Sequence, residues 1–119
     1  MASSRKAACK DVPRAEAIAR LNDQLRTTGT GGTIMITQGV RRITGFDPAV
    51  LAKALADYDD FDADGDPHGE RDLGVLCLFG YDLLFKLDYY SPDLKFASDD
   101  PADPAITRRV LTVLLATEW

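Results

Sequence analysis

The sequence predicts an α+β fold: one domain, a three- to four-stranded antiparallel sheet packed with about three helices, in the order α-β-α-β-β-β-α. Three observations carry this. Apolar residues recur at helical spacing in the first quarter of the chain. A glycine-centred hairpin pattern with period two occupies residues 73–90. Before and after that hairpin, Asp-Pro pairs at Asp47-Pro48 and Asp103-Pro104 give the cap-plus-proline signature of a helix start. At 119 residues the chain is one domain long and can bury a core without staples.

Residues 1–11 are polar and read as a flexible leader, which leaves 12–119 as the folded domain. The first helix begins near Pro13, with Asp11 as a possible cap. Ile18, Leu21 and Leu25 form its stripe, and Glu16 precedes Arg20 at the favourable spacing of four. Gly29, Gly31 and Gly32 end it. Thr33–Thr37 is β-branched and short, a strand. Asp47-Pro48 opens a second helix with Leu51, Leu55 and Tyr58 inward. In the hairpin, Val75–Phe79 is almost continuously apolar, and Gly80 makes the turn. Leu83, Phe85, Leu87 and Tyr89 then share one face. Leu94–Ala97 is a short further strand. Asp103-Pro104 opens a last helix with Ile106, Val110, Val113 and Leu114 inward and Arg108 and Arg109 on its other side.

Charge is unevenly distributed. Residues 1–42 carry eight basic and three acidic side chains, whereas residues 43–107 carry four and fifteen. The acidic middle disfavours direct contact with a phosphate backbone and favours cations or basic protein surfaces. Cys9 and Cys77 belong to no C-x-x-C pair, which excludes a zinc ribbon or a thioredoxin-like site. Cys77 reads as a small core hydrophobe. Unpaired cysteines, the absence of a signal-peptide pattern and the lack of a membrane-length apolar run together predict a cytoplasmic protein.

The densest chemistry lies in residues 57–72, where eight carboxylates accompany a single base, Arg71. Such repulsion calls for a compensating cation, basic side chains or solvent. Asp60-x-Asp62-x-Asp64-Gly65 matches the first half of a calcium loop, so Asp60, Asp62, Asp64, Asp66 and Glu70 are candidate ligands for a divalent cation such as calcium. The second half departs from that pattern. Arg71 stands where a bidentate Glu belongs, and Pro67 where a β-branched residue is usual. His68, the only histidine, sits among Asp66, Glu70 and Asp72 and could serve as a general base or a metal ligand; a turn-fixing role is its competing reading. No serine lies in a nucleophile-elbow context, and the glycines at 29–32 follow a helix rather than precede one, which excludes a phosphate loop. Arg41-Arg42 with Arg108-Arg109 form a candidate basic patch that could pair with the acidic loop.

Several stretches carry a resemblance. They are Asp59-Asp60-Phe61-Asp62, Asp66-Pro67-His68-Gly69-Glu70-x-Asp72-x-Gly74, Lys86-x-Asp88-Tyr89-Tyr90 and Asp100-Pro101-Ala102-Asp103-Pro104-Ala105-x-Thr107-x-Arg109-Val110-Leu111-Thr112. Together, over roughly Ala15–Trp119, the chain resembles a family of small bacterial proteins catalogued only as a domain of unknown function. The resemblance brings no activity; it implies a setting on mobile or plasmid-like elements.

The functional expectation is therefore a non-enzymatic acidic interaction protein. It would be an inhibitor of the anti-CRISPR or anti-restriction type, docking on the basic nucleic-acid-binding surface of a protein partner. Asp59, Asp60, Asp62, Asp64, Asp66, His68, Glu70 and Asp72 are its candidate partner-binding residues, with no nucleic acid or membrane contacted directly. The alternatives are a divalent-cation module on the Asp60–Gly65 loop and a metal-dependent enzyme centred on His68.

Overall fold

The computed structural model describes residues 2–61, 66 and 68–119, and for 2–13 the backbone alone. The elements are α1 (Ala2–Thr28), β1 (Thr33–Ile36), α2 (Gln38–Arg41), α3 (Pro48–Asp57), β2 (Leu73–Leu78), β3 (Tyr81–Tyr90) and β4 (Arg108–Leu115). Single 3₁₀ turns flank β4 at Pro104–Ile106 and Ala116–Glu118. The sheet order is β1-β4-β3-β2. β4 runs antiparallel to β3 and parallel to β1, so the sheet is mixed rather than wholly antiparallel.

The predicted last helix is instead β4, the strand at the centre of the sheet. Asp103 does cap a turn, with its side chain accepting from the Ala105 amide at 2.9 Å, but that turn stops after three residues. Beyond it, β-branched Val110, Thr112 and Val113 favour extended backbone, and Arg109, Leu111 and Val113 bury alternately, a period of two. Pairing along both edges then fixes the strand. The expected strand at Leu94–Ala97 is a turn, with a single bridge between Tyr90 and Ala97. A four-residue helix that periodicity cannot register, α2, is capped by Thr37, whose hydroxyl accepts from the Val40 amide.

Other expectations agree with the structure. Asp47 accepts from the Ala49 amide and caps α3, which buries Leu51 and Leu55. Phe79 and Gly80, both at positive φ (57° and 81°), make the two-residue hairpin turn, a geometry that matches the twist of the flanking strands. Gly32 is required where the chain enters β1, because a Cβ there would overlap the Arg109 carbonyl.

One sheet face, with Leu76, Leu83, Phe85, Leu87, Leu111 and Val113, packs with Leu25 of α1, Val40 of α2, and Leu51 and Leu55 of α3 into the core. The opposite face is open: Val75 and Met35 are exposed. Cys77 lies there too, exposed, its Sγ 3.4 Å from Asp82 Oδ1; the strand's alternation places it outside the core that its apolar neighbours suggested. Among the described residues, no helix is long and apolar enough to cross a membrane.

Candidate functional site

The buried face of α1 is not purely apolar. Ile18, Ala19, Asn22, Leu25 and Arg26 are buried, at i, i+1, i+4, i+7 and i+8, so two polar residues occupy the stripe that points at the sheet. Leu21, predicted to be inward, is half-buried. Asn22 is fully buried and meets Arg109 of β4, itself 2% exposed. Arg109 Nε donates to Asn22 Oδ1 at 2.7 Å, and its Nη2 donates to the Pro101 carbonyl. The guanidinium lies 5.1 Å from the Tyr89 ring centroid. Arg109 thus belongs to the interior, not to a surface basic patch.

Asn22 passes the connection on. Its Nδ2 donates to Tyr89 Oη and to the Glu70 carbonyl, both at 2.9 Å. The Tyr89 hydroxyl donates to Glu70 Oε1 at 2.9 Å. A buried cation is therefore linked through an amide and a phenol to a carboxylate, which supplies the counter-charge without direct contact. Burial pushes the Tyr89 phenol well above its ordinary pKa, so it remains a hydrogen donor.

Arg71 makes a second anchor. Its Nε donates to both Asp23 oxygens, at 3.1 and 3.0 Å, and its Nη2 donates to Glu16 Oε2 at 3.2 Å. Its amide donates to Asp66 Oδ1 at 2.9 Å, and its φ is 54°, a costly conformation for a side chain larger than glycine. The bond from Arg71 holds the Glu16 carboxyl below its usual range. Arg26 ties down the other flank of the acidic segment: Nη1 donates to the Leu55 and Tyr58 carbonyls at 2.7 and 2.9 Å, capping the end of α3, while Nη2 pairs with Asp23 at 3.0 Å. Phe61 packs under the same guanidinium, 5.3 Å away. Arg71 and Arg26 thus hold the segment's flanks through Asp23, Glu16 and backbone carbonyls rather than through its carboxylates; among the described residues Lys53–Asp57 is the ion pair made to a segment acid, and Arg41, Arg42, Arg108 and Arg109 make none.

The predicted site residues separate accordingly. Glu70 and Asp66 turn inward as anchors. Asp59 and Asp60 are exposed. Asp62 and Asp64 lie outside the described residues. His68 is exposed, in a turn closed by Gly69 N donating to the Asp66 carbonyl at 3.1 Å. Asp72 is half-buried beside the start of β2, and burial, followed by the charges of Glu70 and Asp66, pushes its pKa up. A carboxyl held above its unfolded value binds its proton more tightly when folded. Stability therefore falls as pH rises through that range, and an ionised Asp72 carries a cost. Among the described residues no three His, Cys, Asp or Glu side chains are placed to hold a metal ion.

Asn22 and Tyr89 were not among the sequence-level candidates, and Arg109 was one only as part of a surface basic patch. One signal for them exists: an Asn and an Arg spaced four apart on an apolar stripe. Reading 108–115 as a helix had put Arg109 on a solvent face and hidden its partner.

Against known proteins, one family profile matches, over residues 36–118, and its description is "Protein of unknown function (DUF3768)". The match begins at Ile36 rather than near Ala15, so α1, which supplies Asn22, Asp23 and Glu16 to the loop, lies before it. No curated protein matches the chain, and no solved structure does.

Proposed function

Because the chain belongs to the DUF3768 family, whose function is unknown, we propose that it is a non-enzymatic module that binds a protein partner through the outward half of its acidic segment. One observation carries the reading: both flanks of the segment are bonded to α1, Tyr58 through Arg26 and Glu70 and Arg71 through Asn22 and Asp23, and Asp59 and Asp60 beside the first of these flanks are exposed. Their side chains are offered outward, while the basic groups that could have neutralised them are engaged with Asp23, Glu16 and the α3 carbonyls.

The same anchoring argues for binding over catalysis. The carboxylates best placed in sequence to assist His68 have other work: Glu70 accepts from Tyr89, and Asp66 accepts from the Arg71 amide. Exposed carboxylates such as Asp59 and Asp60 complement the basic channel of a nucleic-acid-handling protein, where they substitute for phosphates. Complementarity of this kind speeds encounter and excludes wrong partners. An inhibitor of the anti-restriction or anti-CRISPR type has this form.

The reading is tested by affinity capture followed by binding measurements on the captured protein. Asp59→Lys with Asp60→Lys should weaken binding at least about tenfold, with strong salt dependence in the parent complex. Single-stranded DNA or RNA should compete with the parent chain for the partner. Undiminished binding by the reversed protein sinks the reading.

A further inference from the structure

A recess of about 350 Å3 is lined by His68, Asp72, Lys86, Leu87, Asp88 and Trp119. We infer that this recess receives an arginine side chain of the protein partner; the inference rests on the proposed docking function and names the residue that the partner must supply.

Four features converge. Trp119 is 70% exposed, so its indole is available to a ligand. Asp72, which lines the same recess, is half-buried and takes part in none of the ion pairs formed among the described residues. Burial raises its pKa, so its ionised form is poorly compensated and gains from an incoming cation. Asp88, by contrast, is already neutralised by Lys86 at 2.9 Å, and that pair supplies a polar lining without net charge.

An indole and a carboxylate that forms no ion pair, lining one recess, favour the guanidinium among cations. A guanidinium stacks on indole and sends two parallel N–H groups to a carboxylate, and it is less strongly hydrated than an ammonium. An anionic ligand would be repelled by Asp72, and with Lys86 engaged by Asp88 only His68 is left to offset that. A partner that displays basic side chains to Asp59 and Asp60 has arginines to offer here, so the recess adds selectivity to a contact otherwise governed by charge.

Trp119 is the only tryptophan, so its emission reports the recess directly. The full chain is titrated with hexa-arginine and hexa-lysine peptides at matched ionic strength. Hexa-arginine should shift Trp119 emission saturably and bind at least about fivefold more tightly than hexa-lysine. Asp72→Asn should remove that preference and weaken hexa-arginine about tenfold, with melting temperature maintained or slightly raised because the desolvated charge is gone. Asp59→Lys with Asp60→Lys should weaken both peptides yet keep the preference for arginine. Equal binding of the two peptides, or hexa-arginine binding untouched by Asp72→Asn, overturns the inference. A partner that tolerates Asp72→Asn but is lost with the Asp59/Asp60 reversal removes the arginine recess and leaves the docking reading in place. A partner held by the Asp59/Asp60-reversed chain removes the docking reading itself.

Discussion

Replacing Asn22 with Leu should destabilise the protein by about 3 kcal/mol, a fall of about 10–15 °C in melting temperature for a domain of this size. Leu fits the apolar stripe of α1 in size, so the loss measures hydrogen bonding rather than a cavity. Three bonds disappear together: Arg109 Nε loses its acceptor, and the Tyr89 hydroxyl and the Glu70 carbonyl lose a donor. The largest part comes from Arg109, a cation 2% exposed that keeps only the Pro101 carbonyl and the Tyr89 ring. A double-mutant cycle separates this from general damage. Arg109→Met alone strands Asn22, whereas Asn22→Leu with Arg109→Met removes both partners and should cost at least about 1 kcal/mol less than the sum of the single changes. Additive losses would mean that the two side chains do not act as a unit.

Gly74→Ala should cost about 1–3 kcal/mol, measured by denaturant or thermal unfolding, although it adds one methyl group. Gly74 pairs with Phe85 across the hairpin, and a Cβ on it would overlap the Phe85 ring and crowd the Tyr58 ring. Those rings meet edge to face at 5.1 Å, and Phe61 joins them at 4.9 Å from Tyr58. The aromatic group thus fills the space above β2 that the missing side chain leaves, and it secures the chain on both sides of the acidic segment. Gly74→Ala with Phe85→Leu should be less destabilised than the separate losses predict, because the smaller side chain yields room for the methyl. The last glycine of the Asp66–Gly74 motif is therefore explained by close packing, not by a left-handed backbone.

How far the sequence foretold this depends on the kind of signal. Local chemistry was legible: the Asp47 cap, the buried Leu51 and Leu55, and the alternation of Leu83, Phe85 and Leu87 all appear as their spacing implied. The error at 108–115 arose because Val110, Val113 and Leu114 stand at i, i+3 and i+4, a helical spacing, whereas the strand's buried alternation runs through Arg109, Leu111 and Val113 and begins on a charged residue. The choice is made by pairing with β1 and β3, partners about 75 and 25 residues away in sequence, which no local window contains. The mixed sheet was illegible for the same reason, since β1 has no partner until β4 is a strand. In the acidic segment the number of carboxylates was plain, but their division was not. Glu70 turns inward because Asn22 of α1 and Tyr89 of β3 receive it, whereas Asp66 accepts from the Arg71 amide inside the segment. Sequence spacing within the loop carries no trace of that distant contact.

The account's central claim is that the acidic segment has an anchored inner half and an outer half free to bind. Paired melting curves test it most directly. Glu70→Ala with Arg71→Ala removes the bonds to Tyr89, Asp23 and Glu16 and should lower the melting temperature by about 8–15 °C. Asp59→Lys with Asp60→Lys alters two exposed side chains and should move it by less than about 3 °C. A fall of equal size in both proteins, or a larger fall in the Asp59/Asp60 variant, would contradict the division on which the proposed function stands.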